Sequence, residues 1–166
     1  MHRTLSRCHL LLALTLSILA LSSRANVEIE FVDPRQYTDI GEYGGTYASP
    51  GPLPVFERHL QQLGQRCLNA GDNLRIRILD IDLAGRLEWW HSSGYSVIRV
   101  MRAVTWPRMT LEYRLLDSNG RLKQQAEESL SDMNYLLRNR LRTISRESYG
   151  YDKTMLSRWF QRHFCT

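Results

Sequence analysis

Ten residues near the middle of the chain constrain its architecture more than any other stretch. From Leu74 to Leu83, Leu74, Ile76 and Ile78 fall on one side of an extended chain, and Leu79, Ile81 and Leu83 fall on the other. Successive strand side chains leave from opposite faces. A strand that turns apolar on both faces in its second half must be covered on both, so this segment reads as the central strand of a sheet.

The flanking segments supply the rest of that sheet. Val27, Ile29 and Phe31 alternate with Glu28 and Glu30 until Asp33-Pro34 ends the run, a short half-buried strand. Val97–Met101 is a further strand candidate. Met109, Leu111, Tyr113 and Leu115 alternate with Thr110, Glu112 and Arg114. Asp117-Ser118-Asn119-Gly120 follows, and Asn-Gly supplies the positive φ angles of a tight primed hairpin turn. The return strand runs from Leu122 to Leu130, with Leu122, Ala126 and Leu130 inward.

Helical spacing appears in three places. After a Gly- and Pro-rich stretch from Gln36 to Pro54, read as a long loop, Phe56, Leu60, Leu63 and Cys67 recur at offsets 0, 4, 7 and 11, with Pro54 in the first turn and Gly71 closing the end. Ser131 or Asp132 can cap a second helix with the stripe Met133, Leu137, Leu141 and Ile144. Asp152 can cap a third, whose buried face is Leu156, Trp159, Phe160 and His163 or Phe164. The order is β-α-β-β-β-β-α-α. Hairpin-rich strands with segregated helices predict an α+β two-layer sandwich, with one mostly antiparallel sheet of about five strands and the helices on one face.

The first 25 residues read as an address. Arg3 and Arg7 precede an apolar run, Cys8–Leu21, and small residues follow at Ser22, Ser23 and Ala25. This is the order of a cleaved secretory signal peptide, residues 1–25. The run of about 14 is short of the roughly 20 residues that a spanning helix needs. Residues 26–166 are then a single exported domain. The whole chain carries 22 basic and 17 acidic groups. Removal of Arg3, Arg7 and Arg24 leaves a balance of only +2, so nucleic acid is not an expected partner. Export leaves two cysteines, Cys67 and Cys165, and permits a disulfide between them. The other reading is two separate buried thiols.

Three groups of residues could carry chemistry or contacts. Asp80 and Asp82, two apart on a strand, leave from the same face with Cα atoms about 6.5 to 7 Å apart. Such a pair can serve as acid and base or join a metal site, with Asp132 as a third carboxylate. Equally, the two can accept hydrogen bonds from the Leu83-Ala84-Gly85 turn or pair with a neighbouring Arg. Trp89, Trp90 and Tyr95 surround His91-Ser92-Ser93-Gly94 and can bind a glycan or a protein partner, or cap the core. Arg138, Arg140, Arg142 and Arg146 form a basic helix face that suits an anionic membrane surface, or pairing with the acidic segment of residues 26–57. His59, His91 and His163 match no local metal-ligand spacing, and no nucleophile elbow, phosphate loop or dinucleotide fingerprint is present. No metal and no cofactor is expected. The Trp106-Pro107 bond is open to either isomer.

The run Leu79-Asp80-Ile81-Asp82-Leu83-Ala84-Gly85 resembles the most characteristic stretch of a bacterial secreted family, the domain-of-unknown-function family numbered 3016. Similar stretches are Val27–Pro34 followed by Tyr37-Thr38-Asp39-Ile40, then Pro107-Arg108, then Leu130-Ser131-Asp132-Met133-Asn134-Tyr135. The last is Tyr151-Asp152-Lys153 with Met155-Leu156 and Trp159-Phe160. Trp106 stands where another Pro is frequent, and the cysteine pair is not a hallmark of the family. The resemblance implies the periplasm of a Gram-negative bacterium and brings no activity, substrate or cofactor. The expectation is therefore a non-enzymatic binding or accessory module of the envelope. The alternative is a carboxylate-based hydrolase or metal-dependent enzyme centred on Asp80 and Asp82.

Overall fold

The computed structural model describes residues 24–40, 51–88, 98–138 and 147–165. A four-stranded sheet is built from β1 (Asn26–Phe31), β2 (Asn73–Asp82), β5 (Arg108–Leu116) and β6 (Leu122–Ser131), in the order β1-β2-β5-β6. Two short strands, β3 (Arg86–Glu88) and β4 (Ile98–Val100), pair separately. The helices are α1 (Pro52–Cys67), the four-residue α2 (Tyr135–Arg138) and α3 (Gly150–Phe164), with a 3-10 turn at Pro34–Gln36.

The α+β class holds, and the expected five-stranded sheet resolves into four strands plus a separate hairpin. β2 is central: β1 lies parallel on one side of it and β5 antiparallel on the other. Both of its edges are thus occupied, so the 98–100 strand pairs with the short β3 that follows the Leu83-Ala84-Gly85 turn. β1 is parallel because the chain returns to β2 through α1, the crossover that parallel neighbours require.

The phase change seen in the β2 sequence has a structural cause. The register slips between Ile78 and Asp80, leaving Leu79 as an extra residue. Such a bulge shifts the side-chain alternation by one position. Ile81 and Leu83 therefore continue the buried row of Leu74, Ile76 and Ile78, while Leu79 is only half-buried.

The stripes of α1 and α3 are as spaced. Phe56, Leu60, Leu63, Leu156, Trp159, Phe160 and Phe164 are buried on one face of the sheet with Leu74, Ile76, Leu111 and Tyr113. Cys67 and Cys165, at the C-terminal ends of the two helices, are joined by a disulfide with 4.5 Å between the Cα atoms. The second stripe is different. Met133 and Leu137 are 64% and 68% exposed, and the buried residue is Tyr135, whose hydroxyl donates to the Arg102 carbonyl at 2.8 Å. Leu141 and Ile144 lie outside the described residues.

The β5–β6 connection is also not the primed turn that Asn-Gly implied. Asp117 Oδ1 accepts the amides of Asn119 and Arg121, and positive φ is confined to Gly120. An Asp side chain that bonds the backbone two residues on favours an ordinary turn, closed by a left-handed Gly and a bulge. The bulge falls between Leu115 and Leu116, and it leaves Leu122 47% exposed where an inward position was expected. Trp106-Pro107 is trans.

Gly64 marks the closest approach of α1 to β1. A Cβ there would stand 2.1 Å from Cγ2 of Val27. Gly64→Ala should therefore lower stability by about 1 kcal/mol, because overpacking outweighs the better helix propensity of Ala. Adding Val27→Ala to the same chain should recover part of the loss in urea unfolding; a simple gain from Gly64→Ala alone would contradict this packing.

Candidate functional site

The motif residues scattered along the chain converge at the bulged end of β2. After β1 ends, Tyr37-Thr38-Asp39 runs beside β2 in its place. The Tyr37 hydroxyl donates to the Ile78 carbonyl at 2.6 Å, and burial pushes that phenol up to about 12. The Thr38 amide and hydroxyl donate to the two carboxylate oxygens of Asp80 at 2.7 and 2.8 Å. The Asp39 amide donates to the Ile81 carbonyl at 3.0 Å. These bonds continue, on the β1 side of β2, the pairing that ends with β1 at Phe31.

Asp82 faces Arg108 directly across the β2–β5 pair. Its carboxylate, 4% exposed, accepts Arg108 Nε and Nη2 at 2.9 and 2.6 Å and Arg86 Nη1 at 2.6 Å. Burial alone would raise this carboxyl, but the two guanidinium groups outweigh it and hold it below the usual range. Arg108 also stacks over Trp106, 5.3 Å from the ring centre. Arg99 reaches Asp39 at 2.7 Å and the Gly85 carbonyl at 3.1 Å, so it ties β4 to the turn after β2. Gly85 needs its left-handed φ of 79°, and a Cβ there would meet the Val100 carbonyl oxygen at 2.7 Å.

The turn amide of Ala84 is satisfied by neither member of the Asp80/Asp82 pair. It donates to Asp152 Oδ1 at 3.0 Å. Asp152 was expected to cap α3, but Tyr149 occupies that position, and Asp152 lies buried inside the first turn. Burial pushes its carboxyl up to about 6, partly offset by the Ala84 N–H. A longer-range signal was available: an acid in the first turn of a helix whose apolar face is buried must itself find a donor.

Asp152 carries a sign that can be tested. Its folded value exceeds the ordinary 3.8 of an Asp, so between about pH 4 and 6 the folded state holds the extra proton and stability falls as pH rises. The contribution is about 3 kcal/mol over that window. The Asp82 contribution has the opposite sign: it is present above pH 4 and lost as pH drops through its depressed value. Asp152→Asn should flatten the pH 4–6 part of the stability profile in urea titrations at several pH values. An unchanged slope would show that Asp152 does not titrate there.

Asp80, Asp82 and Asp132 do not form a shared cluster. Asp132 is held by Arg158 at 2.9 Å, beside β6. Among the described residues, no group of three His, Cys, Asp or Glu side chains could hold a metal ion. His59 accepts or donates to Ser157 Oγ at 2.8 Å, and burial lowers its basicity. On the open face of the sheet a trough of about 500 Å³ is lined by Arg75, Arg77, Glu112 and Arg114. Arg75 and Arg77 are already paired there with Glu30, and Arg77 also with Glu112.

Trp89, Trp90 and Tyr95 lie outside the described residues, as do Arg140, Arg142 and Arg146. Their anchor points are described. Glu88 pairs with Ile98 in the β3–β4 hairpin, so the connection that carries the aromatics starts and ends at adjacent positions. Arg138 is the last residue of α2. No described helix is long and apolar enough to cross a membrane.

No curated protein matches the chain in sequence. Among solved structures, a minor lipoprotein from Acinetobacter baumannii is similar at 13% identity, over 86% of this chain and 87% of that one, with a TM-score of 0.26. A likeness that slight carries no argument. The family model described as "Protein of unknown function (DUF3016)" matches residues 25–162, which include every residue of the network around Asp82 and Asp152. The chain belongs to that family.

Proposed function

We propose that the protein is an exported, non-enzymatic binding or accessory module of the bacterial envelope. The observation that carries this reading is the commitment of the candidate carboxylates to the fold: Asp80 to Thr38, Asp82 to Arg86 and Arg108, Asp132 to Arg158. A general acid or base needs a free oxygen beside a reacting group, and both oxygens of Asp80 and of Asp82 and one of Asp132 are engaged by the protein itself. The Cys67–Cys165 bridge fits an oxidising compartment. The contact groups are Trp89, Trp90 and Tyr95, in the segment between β3 and β4, with Arg138, Arg140, Arg142 and Arg146 as a second surface. The partner is an envelope protein or glycan, and the basic surface adds contact with anionic lipid.

Two measurements test this. N-terminal sequencing of protein recovered from the periplasmic fraction should begin at Asn26, and recovery only from the cytoplasm with Met1 intact would end the export reading. The Trp89→Ala/Trp90→Ala/Tyr95→Ala variant should keep its thermal midpoint within about 2 °C, as for surface changes, and lose retention on purified peptidoglycan or on detergent-extracted envelope proteins. A stability loss as large as that of a core Leu→Ala change, with retention intact, would assign the rings to the core instead.

A further inference from the structure

β6 closes the sheet, and among the described residues only one of its two edges is paired. The Asp132 amide donates to the Pro107 carbonyl at 3.2 Å. In an antiparallel ladder the N–H and C=O of one residue point to the same side, and the side alternates along the strand. The register irregularity lies before Gln124, so the alternation from Gln124 to Asp132 is unbroken. Even-numbered residues therefore bond to β5. The N–H and C=O groups of Gln125, Glu127, Ser129 and Ser131 point away from the sheet, without a backbone partner among the described residues. From Gln125 to Ser131 the edge carries no Pro, no Lys and no bulge: the single Lys of β6, Lys123, held by Asp72, and the bulge both lie before Gln124.

A groove of about 690 Å³ runs along this edge. Glu128 and Leu130 line it from the helix side of β6, Ser129 and Ser131 from the other side, as happens only where a groove passes over a strand edge. α3 forms the far wall, with Arg158 and Arg162 one turn apart, and the exposed Met133 stands in the lining. Glu128 is held by Trp159 Nε1 and faces His163, and Asp132 by Arg158. Arg162 is exposed and makes no ion pair among the described residues, so it is the cation that the groove leaves for a ligand.

We propose that this groove binds an extended acidic peptide, which adds to the sheet as a further strand along β6 and places a carboxylate on Arg162. Strand addition draws affinity from main-chain bonds and specificity from alternate side chains. Residues 139–146 carry Arg140, Arg142 and Arg146 and no acid, so that segment has no carboxylate to offer Arg162. This site shares no residue with the aromatic and basic surfaces proposed above, so either can fail alone.

The test is fluorescence anisotropy with the purified protein and a labelled ten-residue peptide alternating Val and Glu. That peptide should bind at least about tenfold more tightly than its Val/Lys counterpart. Arg162→Glu should abolish or reverse the preference, and Ser129→Pro, which removes an outward N–H at a position where an edge tolerates Pro, should weaken binding about tenfold. A Val/Glu peptide N-methylated at alternate residues should fail to bind the unaltered protein, which covers the case of a variant that does not fold. Equal binding of the two peptides, unimpaired binding of the N-methylated one, or no binding at all would overturn the proposal. So would a dimer in sedimentation that Ser129→Pro dissociates, or binding that appears only after residues 139–146 are deleted, since those results name a second copy or the chain itself as the occupant.

Discussion

Reducing the Cys67–Cys165 bridge should lower the free energy of unfolding by up to about 4 to 5 kcal/mol. The two cysteines are 98 residues apart, and the entropy that a cross-link removes from the unfolded chain grows with the loop that it closes. Nearly everything between α1 and the C-terminus lies inside this loop, including β2, β5 and β6. Against a typical stability of roughly 5 to 15 kcal/mol for a domain, a loss of that size is about a quarter or more of the total. A midpoint drop on the order of 10 to 20 °C follows for a domain of this size. Urea unfolding followed by tryptophan fluorescence, with and without reductant, measures it, and a Cys67→Ser/Cys165→Ser chain should match the reduced protein. A difference below about 1 kcal/mol would mean that the packing of α1 on α3 already confines the two ends in the unfolded reference state.

Trp159→Ala should cost about 3 to 5 kcal/mol. Trp159 is fully buried and meets Tyr113, Phe160 and Phe164 edge-to-face, with ring centres 5.5 to 5.9 Å apart. Its indole N–H donates to Glu128 at 3.2 Å, which joins α3 to the edge strand β6. Trp159→Phe keeps most of the ring contact and loses that bond. Glu128 is partly exposed and next to His163, so it finds water, and the expected cost is only about 1 to 2 kcal/mol. Chemical unfolding of the two variants separates packing from hydrogen bonding. Equal losses for Ala and Phe would place the indole's importance in the hydrogen bond instead.

Several elements were legible because they depend on residues close in the chain. The stripe Phe56, Leu60, Leu63 and Cys67 and the stripe Leu156, Trp159, Phe160 and Phe164 are periodic, and periodicity survives folding wherever one face is buried. The shift from Leu74, Ile76, Ile78 to Ile81, Leu83 was visible as two apolar faces, although its cause, a bulge at Leu79, needed the partner strand to be seen. The stripe Met133 and Leu137 misled. It has helical spacing, but both residues are exposed, and the described part of α2 is held by a buried Tyr135 whose hydroxyl partner, the Arg102 carbonyl, is 33 residues away.

The candidate site was half legible. Arginine pairing of the Asp80/Asp82 strand was anticipated and is made by Arg86 and Arg108, on Asp82. That Asp80 belongs to Thr38, 42 residues earlier, and that the turn amide of Ala84 belongs to Asp152, 68 residues later, had no local signal. A carboxylate announces that it needs donors, but spacing along the chain does not say which distant donors will arrive.

By itself, the sequence determined the four strands of the main sheet, the helices α1 and α3 with their apolar stripes, and that β2 lies inside the sheet, because these follow from side-chain alternation and helical period. Only the tertiary structure decided that β1 joins β2 in parallel, that β3 and β4 form a sheet of their own, and that Tyr37-Thr38-Asp39, Arg99, Arg108 and Asp152 gather around Leu79–Gly85. Those outcomes depend on which hydrogen-bonding edges are still unoccupied when the chain closes, and on which buried carboxylates still lack donors. Both are properties of the whole assembled chain.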